Sequence, residues 1–334
     1  MILAGDIGGT RTRLALCEDG GGVPSVEHVF ANRDFADPEA VIACFLEDAG
    51  RPRVTSVALA VAGPVLAGHV RMTNLGWVFD EAALSRLLGG ARVRLLNDLE
   101  AAAHGVLELP QGELRTIAMG EAVLRGNVAV IAAGTGLGEA LLAWHDDVPV
   151  AIASEGGHAD FAPRDTTDVA LLEWISRSAG HVSWEHVVSG PGVVRIHDFL
   201  RDTGREEEPP ELARRLADTP EPSMVITSAG IAGEYPIAVH ALEIFARAYG
   251  AEAGNLALKG TALGGVFVAG GIAPTLLAGR WRDLFMDAFV AKGRYTELLS
   301  RIPVRVALSG KASLVGAAAV AARIGALPSG LRTP

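Results

Sequence analysis

The sequence predicts an α/β protein of two lobes, and three observations carry that prediction. Short apolar strands alternate with stretches of helical spacing. A strand, glycine turn and strand unit occurs twice, at 2–17 and 127–144, which is the mark of two related halves. The length of 334 residues, with 49% of them apolar, exceeds what one hydrophobic core usually serves.

Ile2 to Ile7 opens the chain as a strand, and Arg11 to Cys17 alternates after the tight Gly8-Gly9-Thr10 turn, so the two form an antiparallel hairpin. Asp37 to Asp48 has helical spacing with Val41, Cys44 and Phe45 on one side. Val54 to Ala60 is a strand, Val65 to Met72 a hairpin turning at Ala67-Gly68, and Asp80 caps a short helix running through Leu88. Val93 to Leu96 is a strand that ends at Asn97-Asp98, ahead of the helical Leu99 to Val106. Asn127 to Ala133 and Glu139 to Trp144 flank the turn Gly134-Thr135-Gly136-Leu137-Gly138. A helical second half includes Tyr235 to Leu258. The strand Gly265 to Ala269 and the pair Gly270-Gly271 follow, and Ser313 to Ile324 is the last helix. Gly204 to Pro222, with its acidic run Glu206-Glu207-Glu208 and its prolines, reads as an exposed, solvated segment.

Composition narrows the function. Lys and Arg total 29 against 39 Asp and Glu, a net charge of −10, and no basic run offers a track for nucleic acid. A phosphate ligand must then be held locally by backbone N–H groups and a metal ion. The two cysteines, Cys17 and Cys44, and the lack of a charged leader or apolar segment before Asp6 fit a reducing cytosol. The best apolar stretches, near Val128 to Trp144 and Leu314 to Ala322, are too interrupted to span a membrane.

Gly5-Asp6-Ile7-Gly8-Gly9-Thr10 lies between two strands, where glycines let N–H groups approach phosphate and Asp6 can face a metal-bound water. An ordinary hairpin turn with Asp6 as turn former accounts for the same residues. Gly134 to Gly138 is not a dinucleotide fingerprint, because Glu139 stands where the final glycine belongs and a strand follows. Gly310-Lys311 is not a P-loop, since Ala312 replaces the metal-binding hydroxyl. Glu155-Gly156-Gly157-His158 with Asp160 is the densest polar group. Its carboxylate and imidazole match a vicinal diol, while a metal site and a capped turn are the competing readings. Glu185, before Val187-Val188-Ser189-Gly190-Pro191-Gly192, adds a carboxylate that alone reads as a solvated charge before a turn. Asn97-Asp98 sits at a strand end, where a carboxylate can act as base in phosphoryl transfer. Capping of the following helix by Asp98 is the plainer reading of the local sequence.

In order, G-D-I-G-G-T (5–10), L-N-D-L-E-A-A-A (96–103), A-A-G-T-G-L-G (132–138), E-G-G-H-A-D-F-A-P (155–163), E-H-V-V-S-G-P-G (185–192) and G-G-V-F-V-A-G-G-I (264–272) resemble the bacterial ATP-dependent glucokinase family over nearly the whole chain. The resemblance implies an α/β, two-lobed actin-like ATPase (ribonuclease H-like) fold with duplicated phosphate loops and an interlobe cleft. It implies a small domain of residues 1–108 plus 305–334 and a large one of 109–304. It places ATP on Asp6, Gly8, Gly9 and Thr10 and on Gly134, Thr135, Gly136 and Gly138, with Gly270 and Gly271 beside the adenosine and Mg²⁺ reached from Asp6 through water. It assigns glucose to Asn97, Asp98, Glu155, His158 and Glu185, with Asp98 as catalytic base, and implies a cytoplasmic homodimer. Arg11 stands where the family commonly has Asn, and Leu75 where it often has His in T-N-H-x-W. The cysteine-rich zinc motif of the repressor, open-reading-frame and kinase family is absent, so no zinc is expected. The expected reaction is phosphorylation of D-glucose to glucose 6-phosphate. A kinase for another hexose and a non-catalytic sugar sensor are the alternatives; the sensor is disfavoured because Asp98 and both phosphate loops are retained.

Overall fold

A computed structural model describes residues 1–22, 24–72 and 74–327. Its strands are β1 (Ile2–Ile7), β2 (Arg11–Cys17), β3 (Val26–Ala31), β4 (Ser56–Val61), β5 (His69–Arg71), β6 (Val78–Asp80), β7 (Arg92–Asn97), β8 (Leu114–Ala118), β9 (Val128–Ala133), β10 (Leu137–His145), β11 (Val148–Ser154), β12 (Gly265–Ala269) and β13 (Val304–Ala307). They order as β3-β2-β1-β4-β7, as β11-β10-β9-β12-β13-β8 and as the pair β5-β6. The chain divides into two compact units, Met1–Glu113 with Leu142–Ala153 and Ser309–Pro334, and Leu114–Leu141 with Ser154–Leu308. Residues 328–334 of the expected small domain, and Thr73 of the T-N-L-G-W segment, lie outside the described residues.

In the first unit the period-2 alternation of the strands sorts side chains by size. Leu3, Leu14, Val57 and Leu59 join Val41, Phe45 and Phe79 in one cluster, whereas the small Ala4, Ala15, Ala58 and Ala60 join Leu314, Ala317 and Ala321 in another. The alanine face admits the helix Ala312–Ala326, which also crosses the helix Asp98–Gly105 at glycine contacts. A Cβ on Gly105 would run into the Ala312 carbonyl, and one on Gly316 into the Ala101 carbonyl. β1 and β2 pair antiparallel, Ile2 opposite Cys17. β1, β4 and β7 run parallel, with Ile7 beside Val61 and Val61 beside Asn97.

In the second unit β9, β12 and β13 are parallel and β8 closes the edge antiparallel to β13. The helix Pro236–Gly260 packs its Tyr249 beneath them; this hydroxyl accepts from Ala133 N–H at 3.2 Å and donates to Ala269 O at 3.1 Å. One phenol thereby ties the ends of β9 and β12, the two strands that run into Gly134 and Gly270.

Three expectations need correction. The hairpin over Val65–Met72 is only a tight turn, with φ of 51° at Ala67 and 77° at Gly68, that bridges Leu66 to His69; β5 goes on to pair with β6 instead. The acidic run is not merely solvated. Glu206 meets His240 at 2.9 Å, and Glu208 lies 3.3 Å from the fully buried His197 and 3.6 Å from Arg201. The helix expected from Leu99 begins at Asp98, and its N-cap is Asn97 rather than Asp98.

Candidate active site

In the first unit the parallel register aligns the carboxyl ends of β1, β4 and β7, the edge at which open α/β sheets bind ligands. The β1–β2 turn and Asn97-Asp98 therefore occupy one sheet edge, two strand spacings or about 10 Å apart. The turn is closed by Gly8 N–H donating to Arg11 O at 3.0 Å. Asn32, a buried residue the sequence reading passed over, braces it. Its amide donates to Gly8 O at 2.8 Å, its N–H to Thr10 O at 3.0 Å, and its Oδ1 accepts from the Thr12 hydroxyl at 2.8 Å. An asparagine in a loop carries no signal of such a partner in sequence. Thr10 and Arg11 are exposed at the tip.

Asp6 stands opposite Arg13 in the β1–β2 register. Burial raises the pKa of its carboxyl, and the Arg13 charge partly counters this. Among the described residues no group of three or more His, Cys, Asp or Glu is arranged around a metal ion. One carboxylate beside a backbone turn suits Mg²⁺ held through water, since that ion keeps much of its hydration and takes its other ligands from phosphate.

At the end of β7 the capping box is complete. Asn97 Oδ1 accepts from Leu99 N–H at 2.9 Å and Glu100 N–H at 3.4 Å, and Glu100 accepts from Asn97 N–H at 3.2 Å. Asn97 Nδ2 donates to Gly63 O at 3.2 Å, so its side chain fixes the strand–helix junction on both sides. This leaves Asp98 as the first residue of the helix, half-buried, with Oδ1 accepting from Leu99 N–H at 2.9 Å and its carbonyl accepting from the Ser313 hydroxyl at 3.1 Å.

In the second unit the structure brings the remaining predicted residues together around the β9–β10 turn. Gly134 N–H donates to Gly136 O at 2.8 Å, and Gly190 N–H donates to Gly134 O at 2.7 Å. Glu185 accepts from Leu137 N–H at 2.9 Å, and a Cβ on Gly136 would strike this carboxylate. Ser189 links the two by donating to Glu185 O at 2.7 Å and accepting from Gly192 N–H at 3.0 Å. Gly138 is half-buried and Thr135 exposed. Gly270, at φ of 85°, packs so closely on Ala133 that a Cβ would strike its carbonyl, whereas Gly271 faces open space. The turn Gly156–His158 abuts the same loop: Gly157 lies against the Leu137 carbonyl, and Gly156 against the carboxyl of Glu139. Glu155 and His158 project from that turn, both exposed, while Asp160 is taken by His181 at 2.8 Å. Burial and the Arg195 charge hold the nearby His186 below its usual pKa, favouring neutral imidazole there.

Each unit thus presents a glycine turn closed by its own hydrogen bonds, with polar side chains suited to hydroxyl recognition on the same unit. Comparison with known proteins gives these arrangements a context. A model of the glucokinase family matches residues 3–324. The glucokinase of Nostoc sp. is 38% identical over 97% of this chain and 99% of its own, and that of Escherichia coli 35% over 95% of each. Among solved structures, a glucokinase from an Antarctic psychrotroph superposes with a TM-score of 0.84 at 30% identity, covering 96% of this chain and 98% of its own.

Proposed function

We propose, from the premise that the chain belongs to the glucokinase family and has its actin-like ATPase fold, that it transfers the γ-phosphoryl group of ATP to the 6-hydroxyl of D-glucose. The observation that supports this reading most directly is the sheet edge on which β1, β4 and β7 end together, with a phosphate-type turn after Asp6 and a carboxylate at Asp98.

Asp98 accepts the hydroxyl proton as the sugar oxygen bonds to phosphorus and the bond to the β-phosphate oxygen breaks, leaving ADP. Asn97, fixed by its own cap and by Gly63, orients the sugar beside it. Glu155, His158 and Glu185 take other hydroxyls, the carboxylates as acceptors and the imidazole as donor or acceptor. Glu185 also holds the Leu137 N–H, so sugar recognition and the phosphate turn share one side chain. The N–H groups of Gly9 and Thr10, and those of Thr135 and Gly136, serve the phosphates, while the Gly8 and Gly134 N–H groups close the two turns internally and Gly138 continues the second into its strand; Gly271, which faces open space beside the tightly packed Gly270, leaves room for the nucleoside. Magnesium, held from Asp6 through water, would supply charge neutralisation on the phosphates. We take the two compact units as the small and large domains of the family. No helix among the described residues is long and apolar enough to cross a membrane. A cytoplasmic homodimer serving the entry of glucose into glycolysis completes the reading.

A coupled ADP-release assay with Mg-ATP across a panel of hexoses tests reaction and substrate together. Glucose is expected to give the highest kcat/KM. Equal or higher values for fructose, mannose or an amino sugar would replace glucose as the substrate, and no turnover with any hexose would reject the kinase reading.

A further inference from the structure

Glu139 sits on β10 immediately after the phosphate-type turn and is 1% exposed, although nothing in the proposed mechanism uses it. It is hydrogen-bonded to Glu252, itself 0% exposed on the helix Pro236–Gly260, so two carboxyl groups meet in the interior. The surroundings of Glu252 decide which of the two carries charge. Its Oε1 accepts from Lys259 Nζ at 3.1 Å and its Oε2 from Asn255 Nδ2 at 2.7 Å. Asn255 is held in that orientation by Lys292 Nζ, which donates to its Oδ1 at 2.6 Å and to Ala251 O at 2.9 Å. Both Glu252 oxygens are thus met by donors, so the proton of the pair belongs on Glu139, whose Oε1 meets no donor.

The other side of Glu139 faces the turn that carries Glu155 and His158. Its carboxyl lies so close to Gly156 that a Cβ there would collide with it, and Gly156 N–H is held by the Ser154 hydroxyl at 2.9 Å. Gly157, next along, rests on the Leu137 carbonyl. The turn therefore has a floor made of Glu139 and Leu137, and its height depends on where the Glu139 carboxyl sits.

We propose that the Glu139–Glu252 pair is a positioning device for the Glu155–His158 turn, setting affinity for the sugar by sharing one proton between two buried carboxyl groups. The proposal rests on the sugar-binding reading of that turn. Loss of the shared proton removes a hydrogen bond and places two anions in contact, so Glu139 must move, and the side-chain-free Gly156 is the neighbour that yields. The charged and titratable groups acting on Glu139 are Glu252, Lys259 and the buried Tyr249 hydroxyl, all from the same helix; Lys292, with Arg164 behind it, acts through Glu252. Burial and the Glu252 charge push the Glu139 carboxyl up to about 8, against the opposing pull of Lys259, so the device would release on the alkaline side of neutrality.

The test is the KM for glucose of the wild-type chain and of Glu139→Gln as pH rises from about 7 to about 9. The amide keeps a donor for Glu252 and cannot ionise. Wild-type KM should rise about tenfold over that range with saturated kcat changing far less, whereas Glu139→Gln should match wild type near pH 7 and follow no such rise. A flat wild-type KM overturns the proposal without any variant, and so does an equal rise in Glu139→Gln. Thermal melting supplies a readout independent of turnover. An acid raised by folding stabilises the native state at low pH and loses that contribution as pH climbs towards its folded pKa. The Tm of wild type should therefore fall relative to Glu139→Gln between about pH 5 and about pH 8, and parallel melting curves would contradict the shared proton. If neither protein phosphorylates glucose near pH 7, the functional reading fails; normal turnover with unchanged pH profiles removes the positioning role alone.

Discussion

Asp98 occupies the first turn of its helix, where its Oδ1 accepts from the Leu99 N–H at 2.9 Å. Its sequence context pointed to a cap, and the cap is instead Asn97 next to it, because the side chain of Asn97 reaches the N2 and N3 amides while its own amide donates to Gly63. The local sequence could not separate the two, since Asn and Asp cap equally well. The glycine turns were legible from their spacing, but Asn32 was not, because its partners lie across a loop and no pattern of residue types announces them. At the same scale His158 offers a clean test. It is exposed, so His158→Ala should leave Tm unchanged while raising KM for glucose about tenfold, the equivalent of one lost hydrogen bond. An unchanged KM would remove His158 from the sugar site.

Elements with strong periodicity or clear caps, such as β1, β2, the helix Glu81–Leu87 and the helix Pro236–Gly260, lie close to where the sequence placed them. The strands β3, β8 and β11 were missed for a common reason. Each is partly exposed, and residues such as Glu27, His28, Arg115 and Pro149 dilute the alternation that marks a half-buried strand. The joint between the helices Asp98–Gly105 and Ala312–Ala326 was equally hidden, because it depends on glycines far apart in the chain. Gly316→Ala should overpack it against the Ala101 carbonyl and cost about 1–3 kcal/mol, visible as a Tm lower by several degrees; an unchanged Tm would show that the helices can separate freely. His104 bridges the same joint to Arg323 at 2.9 Å, and burial together with that guanidinium lowers its pKa to about 3. The unfolded chain binds this proton near pH 6.5 and the native state does not, so the joint's contribution is complete above about pH 6.5 and is lost progressively as pH falls towards 3. Replacing His104 by Gln should flatten that part of the Tm–pH curve.

For the whole molecule, a net charge of −10 repels nucleotide phosphates at long range, so affinity for ATP has to come from local contacts rather than the overall field. The fold class was legible because the strand, turn and strand unit is duplicated, whereas the assignment of Leu142–Ala153 to the first unit was not, since the division falls inside β10 and takes in β11, a strand the sequence did not reveal. A hexose that binds the native state should stabilise it by about 2.7 kcal/mol at about 100 times its Kd, and a hexose that does not bind should leave Tm unchanged. The central claim is that Asp98 takes the proton of a glucose hydroxyl, and kcat and KM of Asp98→Asn measure it most directly. The amide preserves the shape and the Leu99 contact but accepts no proton, so kcat should fall about 10²–10⁴-fold with KM for glucose largely retained. A kcat near that of the wild type would contradict the account.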